Sequence, residues 1–310
     1  MIITVTLNPA IDKTIEIENF ETGKLNRAEK VRLDAGGKGI NVSKVIKSIG
    51  GESIATGFLG RENGKFITDY LDKSNIKNEF VFVDGETRTN IKVYDSTRKI
   101  VTEINEPGPN VIDSDIENLN QILFKHVNKD DIAVLTGSVP KNLDKGIYRE
   151  LIKALKQVGV KTILDAEGNL LREGIKEGPC IIKPNLFELE GLIGHRINGI
   201  KEAESYAKSL ISDFGINLIV VSLGDKGAIF VEKSRSIYAR GLKVDTKSTV
   251  GAGDAMVAAL AYSLERNLDL ESAIRLSMAA AVANTMVSGT QPASLESIKI
   301  IEKQITFEAI

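Results

Sequence analysis

Ser248-Thr249-Val250-Gly251-Ala252-Gly253-Asp254 sets small residues and one acid directly ahead of the small, apolar run Ala255 to Leu264. Where glycines meet a helix start, the unpaired N–H groups of the first turn and the positive end of the helix dipole make an anion site that a phosphate can approach closely. A carboxylate beside such a site binds phosphate poorly. It is well suited, however, to take a proton from a hydroxyl that attacks that phosphate. The plain alternative is that Asp254 only favours the helix N-terminus, the usual job of an aspartate there.

Three other stretches carry polar residues at element ends. Gly36-Gly37-Lys38-Gly39-Ile40-Asn41 is a glycine-rich turn opening a helix, with a cation and an amide that suit a small polyhydroxylated anion; a plain turn with a solvated lysine would read the same way. In Lys183-Pro184-Asn185-Leu186-Phe187-Glu188 an apolar strand gives way to polar residues and a helix, and strand carboxyl ends are where open α/β sheets bind ligands. Asn185 and Glu188, three apart, can share a face toward a hydrated Mg²⁺ or form an N-cap pair, and the two roles are compatible. Ser222-Leu223-Gly224-Asp225-Lys226-Gly227 ends another apolar strand and alone reads as a tight connection.

Other chemistries find no support. Gly64-Lys65 is followed by Phe66 and lacks the earlier glycine of a Walker loop. Asp213-Phe214-Gly215 spells a protein-kinase triplet without the catalytic loop that should precede it. His126 and His195, the two histidines, are far from each other and from other ligand types. No G-x-G-x-x-G follows the first strand, which argues against a nicotinamide dehydrogenase.

Net charge −2 and a pI near 5.9 give no broad positive field for nucleic acid. The single cysteine, Cys180, excludes an internal disulfide framework and fits a reducing cytoplasm. No apolar run approaches the roughly 20 residues of a membrane span. The opening Met1 to Leu7, turning at Asn8-Pro9, reads as a first strand and not as a signal sequence.

The elements that must position these residues are of two kinds. Ile132–Leu135, Val160–Leu164, Cys180–Ile182 and Leu218–Val221 are continuously apolar, as strands covered on both faces are. Helical periodicity alternates with them in Lys38–Ile49, Asp113–Val127, Asp144–Val158 and Glu202–Phe214, so the βαβα order predicts a doubly wound layer sandwich. Thr14–Phe20, with Ile15 and Ile17 alternating against Glu16 and Glu18, reads instead as a half-buried strand. Arg88–Glu103 reads as a hairpin around Asp95-Ser96-Thr97-Arg98. Two insertions, near 12–33 and 86–105, thus form a small sheet able to act as a lid.

Taken in order, Thr6 to Asp12, Gly36 to Asn41, Thr87-Arg88, Gly137-Ser138-Val139-Pro140, Lys183 to Glu188, Ser222 to Gly227 and Thr249 to Asp254 resemble the ribokinase-like, or phosphofructokinase B, family of sugar kinases over essentially the whole chain. The resemblance implies one α/β domain spanning 1–310: a three-layer, doubly wound, mainly parallel sheet with a small β-sheet lid. Gly36 to Ser43, Thr89 to Lys92 and Glu103-Ile104-Asn105 before Gly108-Pro109 are similar to the bacterial members that transfer phosphate from ATP to the 6-hydroxyl of fructose 1-phosphate. Tagatose-6-phosphate kinases are similar as well. Gly60-Arg61 departs from the paired glycines of many relatives.

Residue by residue, the resemblance implies Asp254 as base with the Gly251, Ala252 and Gly253 amides as anion hole. Asp12, Gly37, Lys38 and Asn41 would hold the sugar, and Arg88, Ser138 and Arg27 its existing phosphate. Lys183, Asn185, Ser222, Gly224, Gly227, Ser248 and Asn284 would line the ATP side, with Glu188 organising Mg²⁺ through water. A monovalent cation such as K⁺ would sit near Gly289 and Gln291. The expected partners are a ketohexose phosphate and ATP, with no nucleic acid and no membrane. Exposed lid strands need covering, which predicts a homodimer through the lid. A silent sugar-phosphate sensor would share the fold, but the intact Asp254 argues against it.

Overall fold

The computed structural model describes residues 1–287 and 289–310. The chain opens with β1 (Ile2–Thr6), β2 (Ala10–Ile17), β3 (Lys30–Gly36), α1 (Lys38–Ser48), β4 (Ser53–Gly60) and α2 (Lys65–Lys73). Two short strands, β5 (Lys77–Asn78) and β6 (Val81–Val83), lead to the hairpin β7 (Arg88–Asp95) and β8 (Ile100–Ile104). Regular alternation follows: α3 (Asp113–His126), β9 (Ile132–Thr136), α4 (Ile147–Gln157), β10 (Lys161–Asp165), α5 (Gly168–Gly174), β11 (Ile181–Ile182), α6 (Leu186–Ile193), α7 (Ile200–Phe214) and β12 (Leu218–Ser222). The chain then runs through β13 (Gly227–Val231), β14 (Ser236–Arg240), α8 (Ala252–Glu265), α9 (Leu270–Thr285), α10 (Leu295–Glu302) and β15 (Phe307–Ala309).

The large sheet has the order β15-β14-β13-β12-β11-β10-β9-β1-β4-β5, with β6 also on β4. From β12 to β5 every pairing is parallel, and β13, β14 and β15 add antiparallel strands at one edge. Successive strand residues feed opposite cores, as the pleat requires. Ile3, Val5, Leu135, Leu164 and Val221 pack with α3, α4 and α7, whereas Ile2, Val134, Ile163 and Val220 pack with α1, α8, α9 and α10. The doubly wound expectation is met, and it explains why these strands carry no polar alternation.

The second sheet has the order β3-β2-β7-β8. It is mixed, since β2 and β7 run parallel while β2–β3 and β7–β8 are antiparallel. Its strands lie within 10–36 and 88–104, and the strand expected at Thr14–Phe20 begins earlier, at Ala10. A third core of Ile11, Ala35, Ile40, Leu59, Ile67 and Leu71 roots this sheet on α1, β4 and α2. None of the described helices is long and apolar enough to cross a membrane.

Candidate active site

The carboxyl ends of β9 to β12 meet the N-terminal ends of α1 and α8. Asp165, the last residue of β10, is 1% exposed and pairs with two ammonium groups, Lys38 Nζ at 3.2 Å and Lys183 Nζ at 3.1 Å. The Thr136 hydroxyl donates to it at 3.0 Å. Burial alone would raise the Asp165 pKa, but the lysines and this hydroxyl outweigh burial and hold it below the usual carboxylate range. Lys38 is held above the usual lysine range, chiefly by Asp165.

α8 opens on Gly251, whose φ of 83° is left-handed and disfavours a side chain. Among the described residues no side chain caps this helix; the Ala252 N–H makes only a long 3.4 Å bond to the Thr249 carbonyl, which leaves the helix start able to meet an anion. Asp254 lies in that turn, 6% exposed, with Oδ2 accepting from Asn41 Nδ2 at 2.8 Å. Burial pushes its pKa up, partly opposed by Lys38, which makes it a stronger proton acceptor than a surface aspartate. Asn41 is carried by α1, whose cap Gly37 has φ 115°; a Cβ there would fall 2.8 Å from Thr6 Cγ2 and 3.1 Å from Pro9 Cα.

Three cavities adjoin. The central one, about 500 Å³, is lined by Asp12, Gly37, Lys38, Asn41, Arg88, Asp165, Lys183, Asn185, Glu188, Gly251, Gly253 and Asp254. A second, about 310 Å³, shares Lys38, Arg88, Asn90 and Asn105 with it and adds Thr6, Asn8, Ser138 and Glu167. The third, about 300 Å³, is walled by Leu242, Val244, Met256, Met278, Ala281 and Val282 with Gly224, Gly227 and Ala252. Among the described residues only Ser222 and Gly253 belong to both the central and the apolar cavity, so the end of β12 and the start of α8 form the boundary between them.

Arg88 is braced for a ligand: Nε donates to the Asn8 carbonyl at 3.1 Å, Nη1 to the Glu106 carbonyl at 3.3 Å and Nη2 to Ser138 Oγ at 3.4 Å. Asp12 is held from β7 by Asn90 Nδ2 at 3.2 Å and Lys92 Nζ at 3.1 Å. Asn185 and Glu188 form the reciprocal cap, with both bonds at 2.8 Å, and both also line the central cavity.

Some expected placements differ. Lys183 and Asn185 line the central cavity beside Asp254, because they follow β11 directly, and not the apolar one. Arg27, Ser248 and Asn284 line none of the three. Arg27 is exposed in the loop between β2 and β3. Ser248 Oγ accepts from the Val250 N–H at 3.2 Å, which shapes the turn before α8. Asn284 is buried and accepts from the Ala293 N–H at 3.3 Å. Gln291 donates to Asp34 Oδ1 at 2.8 Å, and Arg32 Nη2 lies 2.5 Å from where a Gly289 Cβ would be. Arg61 pairs with exposed Asp84 at 3.2 Å, away from the cavities.

Sequence reasoning missed Asp165, whose only signal is an acid ending an apolar strand. Asn90, Lys92, Glu103 and Asn105 lie in stretches that carry the resemblance without a site role, yet all four line the central cavity. The apolar wall from Leu242 to Val282 was also missed, since such residues read as core.

The chain is similar to several known sugar kinases. A 1-phosphofructokinase of Borreliella burgdorferi is 37% identical over 287 residues, 92% of each chain. A tagatose-6-phosphate kinase of Staphylococcus epidermidis is 34% identical over 98% of each. The crystal structure of phosphofructokinase-2 from Escherichia coli in complex with potassium superposes with a TM-score of 0.94 at 27% identity, again over 98% of each chain. With the family model "pfkB family carbohydrate kinase" matching residues 5–298, the chain belongs to the pfkB family of carbohydrate kinases.

Proposed function

We propose that this kinase transfers the γ-phosphoryl group of ATP to the 6-hydroxyl of fructose 1-phosphate, giving fructose 1,6-bisphosphate and ADP. The observation that carries the reading is the position of Asp254, buried beside the N-terminal end of α8 where the apolar and central cavities share Gly253. The apolar cavity suits a purine and the central cavity a sugar. The braced Arg88, with Ser138, suits the phosphate the sugar already carries.

Asn41 occupies Oδ2 of Asp254, which leaves Oδ1 for the sugar hydroxyl. As the hydroxyl oxygen bonds to phosphorus, its proton passes to Asp254 and the bond to the ADP oxygen breaks. The amides of Gly251, Ala252 and Gly253, with Lys38 and Lys183, face the charge that develops on the phosphoryl oxygens. The lid sheet contributes Asp12, Arg88, Asn90 and Lys92 to the central cavity, so sugar binding and exclusion of water are joined.

Mg²⁺ belongs to the same reading. Among the described residues no group of three or more His, Cys, Asp and Glu side chains is placed to hold a metal. Glu188, its carboxyl pKa raised mainly by burial, lines the central cavity and would be the outer partner of an ion held mainly by nucleotide phosphates and water. Bound there, the ion would neutralise phosphate charge. The potassium in the Escherichia coli relative supports a monovalent cation here too, without indicating where it sits. A homodimer completes the proposal, because Val31, Leu33, Ile100, Val101 and Ile104 are all about half exposed on the two edge strands of the lid.

The 34% identity to a tagatose-6-phosphate kinase favours that substrate as the second reading. Side-by-side kcat/KM values for fructose 1-phosphate, fructose 6-phosphate and tagatose 6-phosphate decide between them. A preference for either 6-phosphate overturns the proposal.

A further inference from the structure

α1 carries a second amine that the reading above leaves without a role. Lys44 is 3% exposed. Its Nζ donates to the Ala35 carbonyl, near the end of lid strand β3, and to Asn41 Oδ1 at 3.3 Å. The same group lies 5.1 Å from the centre of the Tyr70 ring on α2. Lys44 is thus out of the cleft but touches the opposite edge of the amide that touches Asp254.

Elementary donor chemistry decides how that amide faces. An ammonium group only donates, so it takes Oδ1 and leaves the NH₂ to donate to Asp254 Oδ2 at 2.8 Å. The flipped amide would set Oδ1 against the carboxylate and NH₂ against the ammonium, two repulsive contacts. With Lys44 removed, one of these two penalties disappears and nothing on that side selects the productive orientation.

We infer that Lys44 is a positioning residue, which holds the Asn41 amide with its NH₂ on Asp254 and ties that orientation to the end of the lid strand. The inference rests on Asp254 being the base. The groups facing Lys44 are Asp34 of β3, Asp12 of β2 and Asp254 of α8, which favour its ammonium form, and Lys92 of β7, which opposes it. Burial brings its pKa down to about 8, so the charge is present at neutral pH. Facing Asp254 are Lys38 of α1 and Lys183 after β11, which favour its carboxylate, and Asp165 of β10, which opposes it.

Lys44→Met keeps a similar volume without charge or donor, and the readout is the acidic limb of kcat/KM in an ADP-release assay. Lost packing would lower activity at every pH and leave that limb in place. A destabilised Asp254 carboxylate moves the limb to higher pH, by about one unit for one weakened hydrogen bond to a charged group. Lys44→Arg, which keeps charge and donors, should return the limb toward its original position. In an Asn41→Ala background, Lys44→Met should move it no further. If Lys44→Met does not fold, Lys44→Leu, which also lacks charge and donor, carries the same comparison with the same sign. A limb unmoved by either uncharged variant, or moved equally in the Asn41→Ala background, overturns the role of Lys44 while leaving Asp254 as base. Wild-type turnover in Asp254→Asn would instead remove the base, and the role of Lys44 with it.

Discussion

Replacing Asp165 by asparagine removes one negative charge from between two ammonium groups and changes almost nothing in shape. Breaking a buried ion pair by deleting one partner costs about 3–5 kcal/mol, because the remaining charge is left buried and uncompensated. Lys183 meets that condition in full, with its side chain 6% exposed at 3.1 Å. Lys38 does not, since its side chain is 39% exposed and can turn into cleft water, so its share is small. The expected loss is therefore at the lower end, about 3 kcal/mol. For a chain of this length the unfolding entropy is roughly 0.65 kcal/mol/K, which makes that loss a fall in Tm of about 5 °C. Paired thermal and urea unfolding at pH 7 measure it.

The sign with pH is fixed by the direction of the shift. Asp165 has its folded pKa held below the unfolded value, so its stabilisation is present above the unfolded pKa of about 3.9 and is lost as pH falls through the folded one. The gap between wild type and Asp165→Asn should be full at pH 7 and close in acid. Inorganic phosphate should raise the Tm of the variant more than that of the wild type, since it supplies the missing negative charge. Equal Tm values within about 1 °C at pH 7, or a gap that widens in acid, would refute this account of the lysine pair.

Asp254→Asn should bind ATP nearly as well as wild type and lose at least ~10²-fold in turnover, the range typical of general-base catalysis; unchanged ADP release removes Asp254 from its role. Because burial raises its pKa, kcat/KM should decline on the acid side at a pH above the ordinary aspartate range. A rate that holds level down to pH 4 contradicts that. Val31→Glu with Val101→Glu places charges on the exposed lid strands and should convert a dimer to a monomer in sedimentation; a wild-type mass of one chain at every concentration disposes of the dimer itself.

The parts of the site legible in the sequence are those where chemistry and backbone share a short stretch. Gly36 to Asn41 and Gly251 to Asp254 each combine a glycine, a helix start and a reactive side chain, so local residues announce both place and purpose. Asp165 carries no such signature, because its meaning depends on Lys38, 127 residues away, meeting it across the fold. β4 escaped for a different reason, as glycines at 57 and 60 interrupt its apolar run. Ser236 to Arg240 and Phe307 to Ala309 add an antiparallel edge that the βαβα order does not imply. Arg27, expected at the sugar phosphate, is exposed in the loop between β2 and β3 and lines none of the three cavities.

The shared wall at Gly253 also bears on inhibitor design. Since the apolar and central cavities share Ser222 and Gly253, the proposed substrates imply that a single ligand joining adenosine to a ketohexose phosphate through a short polyphosphate bridge needs little linker to fill both. Tethering makes its second docking step intramolecular, so its affinity should exceed that of either fragment without a new contact.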